Sequence, residues 1–168
     1  MNEAGLSLGS NLGDRVEHLT AARRALAALS ATRVVASSRI YETEPVGVSE
    51  EWREVTFYNA VVVVESGLSA TDFSDAIHTI EDLLGRVRGA ERNAPRAIDI
   101  DIIYFGSVVS EVESLYLPHP EWAGRRFVCA PLAELRPDLI LPGQTESVAE
   151  VCKKLPLRPA VAIAATQW

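Results

Sequence analysis

The sequence predicts an α+β fold with a mostly antiparallel sheet, and three observations support this prediction. Short apolar and β-branched runs alternate with longer segments whose apolar residues recur at helical spacing. The order of these elements is β-α-β-β-α-β, followed by a C-terminal extension. No long linker, internal repeat or low-complexity tract interrupts the 168 residues, so we expect a single domain over residues 1–168.

The first half of the chain is expected to form a helix between strands. The first apolar run ends at Gly9, which is typical of a short strand, and the apolar residues of the following segment recur at helical spacing. A breaker-rich stretch, TEPVG, separates the next two strands. The predicted elements are a strand at residues 4–8, a helix at 14–29, a strand at 34–41 and a strand at 57–65.

The second half begins with a helix between Ser69, whose side chain suits an N-cap, and the helix-stopping Gly85. Further strands are predicted at residues 98–105, 108–117 and 160–165, and helices at 127–135 and 148–155. The complete order predicts a ferredoxin-like split βαβ fold, with the helices on one face of the sheet. Because this fold hosts many functions, function has to be argued from the site.

Composition narrows the function classes. A hydrophobic content of 48% and a charged content of 23% are ordinary for a globular protein. The net charge of −7 argues against a general polyanion binder, so an anionic ligand must be met by a local cluster of arginine or lysine. The two cysteines form no CxxC pattern, which indicates neither a disulfide framework nor a zinc site.

The expected location and assembly follow from the same survey. The N-terminus shows no secretory signal, and the longest aliphatic run, residues 60–64, is too short to span a membrane. We therefore expect a cytoplasmic protein without membrane contact. Nothing in the sequence demands more than a monomer.

The strand-forming run PRAIDIDIIYF carries two carboxylates, although aspartate is depleted in strands. Asp99 and Asp101 are two residues apart, so they share one face of the strand at a separation of about 6.6 Å. Ile98, Ile100 and Tyr104, together with Ile102, are expected on the opposite face. The carboxylate pair fits either a solvated edge strand or a site for divalent metal ions.

A segment rich in arginine, RVRGAERNAPR at residues 86–96, leads directly into this strand. Guanidinium groups bind phosphate bidentately and stay charged, although the same cluster could simply solubilise an exposed loop. The position of this segment next to the carboxylates favours phosphate binding, because metal-binding carboxylates beside phosphate-binding arginines suit phosphoryl transfer. The chain has neither a GxxxxGK[ST] nor a GxGxxG motif.

Five motifs in order resemble the 6-hydroxymethyl-7,8-dihydropterin pyrophosphokinase family. The resemblance covers about residues 5 to 142. The motifs are residues 9–13 (GSNLG), 38–47 (SRIYETEPVG), 57–60 (FYNA), 85–105 (GRVRGAERNAPRAIDIDIIYF) and 117–132 (LPHPEWAGRRFVCAPL). The resemblance implies transfer of the β,γ-pyrophosphoryl unit of ATP to the hydroxymethyl group of a reduced pterin, with release of AMP, in folate biosynthesis.

The resemblance also implies residue roles. Two Mg²⁺ ions would be held by Asp99 and Asp101, with ATP as co-substrate. The implied catalytic residues are Arg86, Arg96, Asp99 and Asp101. The implied ATP-binding residues are Glu81, Arg86, Arg88, Arg92, Arg96, Ile102, His119 and Arg125. The implied pterin-binding residues are Thr43, Pro45, Val46, Phe57, Asn59 and Phe127. The rings of Phe57 and Phe127 would stack on the pterin.

Two other classes of function compete with this one. A ferredoxin-like module that binds a metabolite without catalysis would bind ATP but not turn it over. An RNA-binding domain of the RRM type is disfavoured, because no RNP1-like aromatic pattern is present and the net charge is negative. The predicted partners are therefore small-molecule substrates rather than nucleic acid or membrane.

Overall fold

The computed structural model describes residues 1–85 and 95–168. Within these ranges the chain forms a mixed α/β structure. The strands are β1 (Asn2–Ser10), β2 (Thr32–Ser37), β3 (Ile40–Thr43), β4 (Phe57–Ser66), β5 (Asp99–Phe105), β6 (Ser110–Val112), β7 (Leu115–Leu117) and β8 (Val161–Ala165). The helices are α1 (Arg15–Ala28), α2 (Ala70–Leu83), α3 (Arg126–Leu135) and α4 (Val148–Lys154).

The main sheet has the strand order β5-β1-β4-β3-β8. β3 pairs with the N-terminal part of β4, and β2 pairs with the C-terminal part of the same strand. The strand pairs in this sheet are antiparallel, which confirms the predicted mixed α/β class with a mostly antiparallel sheet. β1 and β4 occupy the centre of the sheet, in agreement with the apolar and β-branched composition of both strands.

Side-chain caps fix the ends of the predicted helices. Asp14 caps α1 by accepting the Glu17 backbone N–H at 3.0 Å, and Ser69 caps α2 by accepting that of Asp72 at 3.1 Å. Gly85 follows α2 with a φ of +92°, a conformation that glycine adopts without strain. None of the helices in the described ranges is long and apolar enough to cross a membrane.

Two predicted strands are each divided in the structure. The strand expected at residues 34–41 is interrupted at Ser38, whose hydroxyl accepts the Val61 backbone N–H at 2.9 Å in place of a ladder carbonyl. The strand expected at 108–117 was also wrong. It forms the hairpin β6–β7 in a separate two-stranded sheet, because Val112 pairs with Leu115 across a two-residue turn.

The helices cover both faces of the main sheet, so the prediction of helices on one face was wrong. α1 and α2 pack on one face through apolar residues such as Leu26 and Phe73. α3 and α4 pack on the other through residues such as Leu132 and Val151. The predicted order β-α-β-β-α-β accounts only for the first layer, whereas the C-terminal extension supplies the second.

A bulge in β5 corrects the predicted position of Tyr104. Leu6 of β1 pairs with Ile102, but the next residue of β1, Gly5, pairs with Tyr104. Ile103 is therefore the additional residue in β5. The Tyr104 ring therefore moves to the face covered by α3 and α4, while the earlier isoleucines stay under α1 and α2. Gly5 leaves room for this ring, since a Cβ there would lie 2.3 Å from Tyr104 Cε1.

Candidate active site

A cavity of about 610 Å³ opens on the sheet face that α3 and α4 partly cover. Its floor is formed by Ser7 and Gly9 of β1 and by residues of the flanking strands β4 and β5. Gly9 pairs with Asp99 on one side and with Asn59 on the other, and Ser7 pairs with Asp101. Small side chains on β1 thus leave the polar side chains of β4 and β5 facing one space.

Most of the residues predicted for the site line this one cavity. They are Thr43, Val46, Phe57, Asn59, Arg96, Asp99, Asp101, His119, Arg125 and Phe127. The sequence places these residues on β3, β4, β5 and the start of α3, and on the connections beside these elements. Antiparallel pairing of the strands brings them together.

Gly9 lies at a close approach across the sheet. A Cβ at this position would lie 3.1 Å from Asn59 Oδ1 and 4.0 Å from Phe57 Cδ1. The absence of a side chain at Gly9 therefore preserves the space between the carboxylate strand β5 and the amide on β4. This is a structural reason for the glycine in the GSNLG motif.

Asn59 is 4% exposed, and its side chain is oriented by a neighbouring hydroxyl. Its Nδ2 donates to Thr43 Oγ1 at 2.7 Å, so one end of the amide is fixed by β3. A buried amide without hydrogen bonds costs about 1–3 kcal/mol, and this contact offsets part of that cost. The orientation leaves the Asn59 carbonyl oxygen beside Gly9, at the cavity floor.

Arg96 is held at the other end of the floor by the GSNLG turn. Asn11 Oδ1 accepts the Arg96 backbone N–H at 2.8 Å, and the Arg96 carbonyl accepts the Asn11 backbone N–H at 3.2 Å. The Arg96 guanidinium then lies 3.3 Å from Asp99 Oδ2. Both side chains are about one-quarter exposed, which leaves them accessible to a ligand in the cavity.

His119 lines the same cavity as the two carboxylates and Arg125. Its Nδ1 accepts the Glu121 backbone N–H at 3.1 Å, which assigns the proton of the neutral ring to Nε2. Burial lowers the pKa of His119 below its ordinary value, Asp101 and Asp99 act in the opposite direction, and Arg125 adds to the lowering. Arg125 also forms an ion pair with Glu121.

A second cavity, of about 240 Å³, adjoins the first. Asp101 and His119 line both cavities, so the two spaces meet beside β5. Ile102, predicted to bind ATP, lies in this second cavity together with His78 and Tyr116. The division separates the predicted site residues into a cavity beside β3 and α3 and a smaller one beside α2 and the β6–β7 hairpin.

Three predicted site residues lie outside the described ranges. Arg86, Arg88 and Arg92 fall between the two described ranges, so their predicted roles stay predictions. Pro45 lines neither of these two cavities and instead borders a depression on the loop that precedes β4.

Glu81, a predicted nucleotide contact, is fully buried in α2. Its Oε1 accepts the Ile100 backbone N–H at 2.8 Å, at the residue between the two aspartates. This hydrogen bond therefore joins α2 to β5, and contact of Glu81 with a nucleotide stays a prediction.

Sequence reasoning missed several lining residues. Arg126, Glu44 and Glu121 are neighbours of predicted residues, so their proximity along the chain was the available signal. A C-terminal group, between Leu155 and Val161, gave no such signal. It reaches the cavity because β8 pairs with β3, a contact that spans more than a hundred residues of sequence.

The carboxylates fit a magnesium site on their own chemistry. Asp99 and Asp101 face the same cavity from alternate positions of one strand, next to an arginine. The described residues contain no group of three or more His, Cys, Asp or Glu side chains arranged to hold a metal. Mg²⁺ commonly takes one or two protein carboxylates and completes its shell with water and phosphate oxygens, so two suffice.

Comparison with known proteins assigns a family. The sequence profile of the family described as 7,8-dihydro-6-hydroxymethylpterin-pyrophosphokinase (HPPK) matches residues 5–137. A 2-amino-4-hydroxy-6-hydroxymethyldihydropteridine pyrophosphokinase of Methylorubrum extorquens is 43% identical over 157 residues, which cover 92% of this chain and 94% of the relative. The enzyme of the same name from Haemophilus influenzae is 36% identical over 154 residues, with 92% and 93% covered.

Solved structures share the fold. The wild-type HPPK-DHPS of Plasmodium falciparum superimposes with a TM-score of 0.72 at 15% identity, over 91% of this chain and 44% of that chain. An HPPK-DHPS solved in complex with substrates gives a TM-score of 0.68 at 14% identity, over 90% and 43% of the two chains. This chain thus spans less than half the length of these solved chains. The sequence matches show that the chain belongs to the 7,8-dihydro-6-hydroxymethylpterin-pyrophosphokinase family.

Proposed function

We propose that this protein transfers diphosphate from ATP to 6-hydroxymethyl-7,8-dihydropterin and releases AMP, as a step of folate biosynthesis. One observation carries the proposal: a single cavity contains both the carboxylates with their arginines and the aromatic and amide side chains that suit a planar heterocycle. The pyrophosphokinase family and its named relatives support the same reaction.

The pterin occupies the part of the cavity beside β3 and α3. Phe57 and Phe127 offer flat apolar faces to the ring, and Asn59 offers its oriented amide to the polar edge. Thr43 fixes that amide, and Val46 lies on the adjacent loop. Pro45 belongs to the same loop and to the same proposed pocket by its motif position.

The phosphates of ATP occupy the part of the cavity beside β5. Arg96, Arg125 and His119 line it, and their donors can meet phosphate oxygens. Arg86, Arg88 and Arg92 complete this group by motif position. The nucleoside lies in the adjoining cavity with Ile102, because Asp101 and His119 border both spaces.

The reaction is a displacement at phosphorus. The hydroxymethyl oxygen of the pterin attacks the β-phosphorus, the bond from this atom to the α-phosphate oxygen breaks, and AMP leaves with the electron pair. The hydroxyl proton is released to solvent water, which balances the step. The arginines hold the phosphates in line with the acceptor, and the aromatic pair holds the acceptor, so positioning supplies much of the catalysis.

Two Mg²⁺ ions are proposed as the metal requirement, held by Asp99 and Asp101. When bound, the metal supplies neutralisation of phosphate charge and a lower pKa of the acceptor hydroxyl. Both carboxylates line the cavity, where Asp99 forms an ion pair with Arg96 and Asp101 lies opposite the small Ser7 in the strand ladder.

We also propose the finer architectural and cellular assignments. The strand order β5-β1-β4-β3, with β2 and β3 in the place of one strand, supports a ferredoxin-like split βαβ core. We propose that residues 1–168 form one domain that acts as a cytoplasmic monomer.

The direct test is to incubate the protein with Mg·ATP and 6-hydroxymethyl-7,8-dihydropterin and to follow AMP. AMP formation that depends on both the pterin and Mg²⁺ is expected. ATP binding without AMP would contradict the proposal and favour a module that binds a metabolite without catalysis.

Substitution of the carboxylates tests the metal site. Asp99→Ala and Asp101→Ala should each lower AMP formation at least about 100-fold. Mutation of a residue that only hydrogen-bonds to a metal ligand commonly lowers activity about 10–100-fold, and loss of the ligand itself should cost at least as much. Asp138→Ala, the same change on an exposed loop, is the matched control. Thermal unfolding of the three variants separates loss of the site from loss of the fold, and full activity in either cavity variant would contradict the assignment.

A further inference from the structure

The connection between α4 and β8 forms one wall of the main cavity. The residues that line the cavity from this segment are Leu155, Pro156, Arg158, Pro159 and Val161. The segment lies beyond residues 5–137, which match the family profile, and beyond the five motifs. Its contribution therefore comes from the geometry of this chain rather than from a motif.

Both ends of the wall are attached to other elements, and the end at Val161 is attached at the proposed pterin side. Arg126 Nη1 donates to the carbonyl oxygens of Cys152 at 3.2 Å and Leu155 at 3.4 Å, and Arg126 stands between Arg125 and Phe127 in the chain. At the other end, Val161 pairs in register with Thr43. The wall thus runs from the start of α3 to β3, and neither attachment is on the carboxylate strand β5.

Arg158 is the only residue between positions 155 and 161 with a polar side chain. It is exposed, and within the described ranges no hydrogen bond or ion pair holds its guanidinium. Proline neighbours on the segment limit the backbone conformations available to it. A cation on a restricted wall of the cavity is thereby available to a ligand.

We propose that Arg158 binds the pterin, by donating hydrogen bonds from its guanidinium to the acceptor edge of the ring, and that residues 155–161 close this end of the cavity. The ligand is the pterin rather than ATP, since Val161, at the end of the wall that follows Arg158, pairs with Thr43, whereas Arg96 and Arg125 already serve the phosphate side. The carbonyl oxygen and ring nitrogens of a pterin are acceptors that match a planar donor. This inference rests on the proposed function.

The test compares Arg158→Gln and Arg158→Lys with the wild-type protein in steady-state AMP formation. The KM for the pterin should rise about three- to ten-fold in Arg158→Gln, the range expected for the loss of a hydrogen bond, and the KM for ATP should stay within about two-fold. Arg158→Lys keeps the charge but not the planar fork, so its KM should be intermediate.

Lys153→Gln is the matched control, because Lys153 is an exposed cation at the end of α4 that does not line the cavity. Its kinetic constants should equal those of the wild type. An unchanged KM for the pterin in Arg158→Gln, or an equal rise in the KM for ATP, would overturn the inference.

The failure of this inference can be distinguished from the failure of the proposed function. If the wild type forms AMP and Arg158→Gln is unaffected, only the role of Arg158 is wrong. If the wild type forms no AMP, calorimetric titration with the pterin, in the presence of Mg²⁺ and a non-hydrolysable ATP analogue, tests Arg158 alone. A weaker pterin affinity in Arg158→Gln then supports the inference, and equal affinities overturn it.

Discussion

The two faces of the central strand β1 are built for different purposes. On the face under α1 and α2, Ala4, Leu6 and Leu8 are fully buried in one apolar cluster. On the opposite face, Gly5, Ser7 and Gly9 carry little or no side chain. α3 and α4 cover that second face at one end of the strand, whereas at the other end it is the cavity floor.

The difference shows where polar groups are tolerated. A carboxylate buried under α1 and α2 is costly unless a fixed donor meets it, as the Ile100 backbone N–H meets Glu81. Asp99 and Asp101 lie instead on the face where the covering layer is incomplete, so water or a ligand can reach them. We expect stability to depend mainly on one face and substrate binding on the other.

A large truncation on the closed face should give the largest effect. Phe73 is fully buried, and its ring lies 5.2 Å from that of Phe105. Phe73→Ala should lower the free energy of unfolding by about 3–5 kcal/mol, measured by urea denaturation. AMP formation per folded molecule should persist, because the ring does not line either cavity.

Leu83→Ala, in the same helix, is the control. Leu83 is 79% exposed, so its truncation should change the unfolding free energy by no more than about 0.5 kcal/mol. Similar losses in the two variants would contradict the assignment of stability to the closed face.

A polar residue on the open face should show the opposite pattern. Asn59→Leu keeps a similar side-chain shape but removes the amide that Thr43 orients. We expect the KM for the pterin to rise about ten-fold or more, since an unmade hydrogen bond costs about 1–3 kcal/mol. The KM for ATP is the internal reference. A loss of stability as large as that of Phe73→Ala, with unchanged KM values, would show that Asn59 serves the core.

The smallest of these effects concerns an ion pair at the covered end of the open face. Glu3 Oε2 accepts from Arg136 Nη2 at 2.8 Å, and Glu3 Oε1 accepts from the Tyr104 hydroxyl at 2.7 Å. The Arg136 hydrogen bonds hold the pKa of Glu3 below its ordinary value of 4.5, against the effect of burial. At pH 7, Glu3→Gln should lower the unfolding free energy by about 1–2 kcal/mol.

The pH dependence of this difference has a definite sign. A carboxyl whose pKa is lower in the folded protein stabilises it above the unfolded pKa, and that stabilisation disappears as pH falls through the folded pKa. Urea denaturation should therefore show the difference between wild type and Glu3→Gln at pH 7, and less of it well below pH 4.5. Glu17→Gln, at an exposed pair, should show little difference at either pH.

Sequence patterns that act locally predicted the structure well. The helical spacing around Leu26 and the cap at Ser69 gave α1 and α2, and the composition of Phe57–Ser66 gave the central strand β4. The motif residues also meet in one cavity, because antiparallel pairing with β1 brings Asp99 and Asn59 to the two sides of Gly9.

Features that depend on distant contacts were not predicted. The bulge that moves Tyr104 needs the space above Gly5, and the break at Ser38 needs the Val61 backbone as its partner. The wall at residues 155–161 depends on pairing between Val161 and Thr43. No local pattern in the sequence encodes which strand a segment will meet.

The glycine at the cavity floor has a consequence for inhibitors. Gly9 presents backbone rather than a side chain to the cavity, so a compound can pack flat against the sheet at this point. Even alanine there would require Asn59 to shift, because its Cβ would lie 3.1 Å from Asn59 Oδ1. We expect a substitution at Gly9 to weaken binding of the substrate along with that of the compound, because Asn59 lines the same cavity.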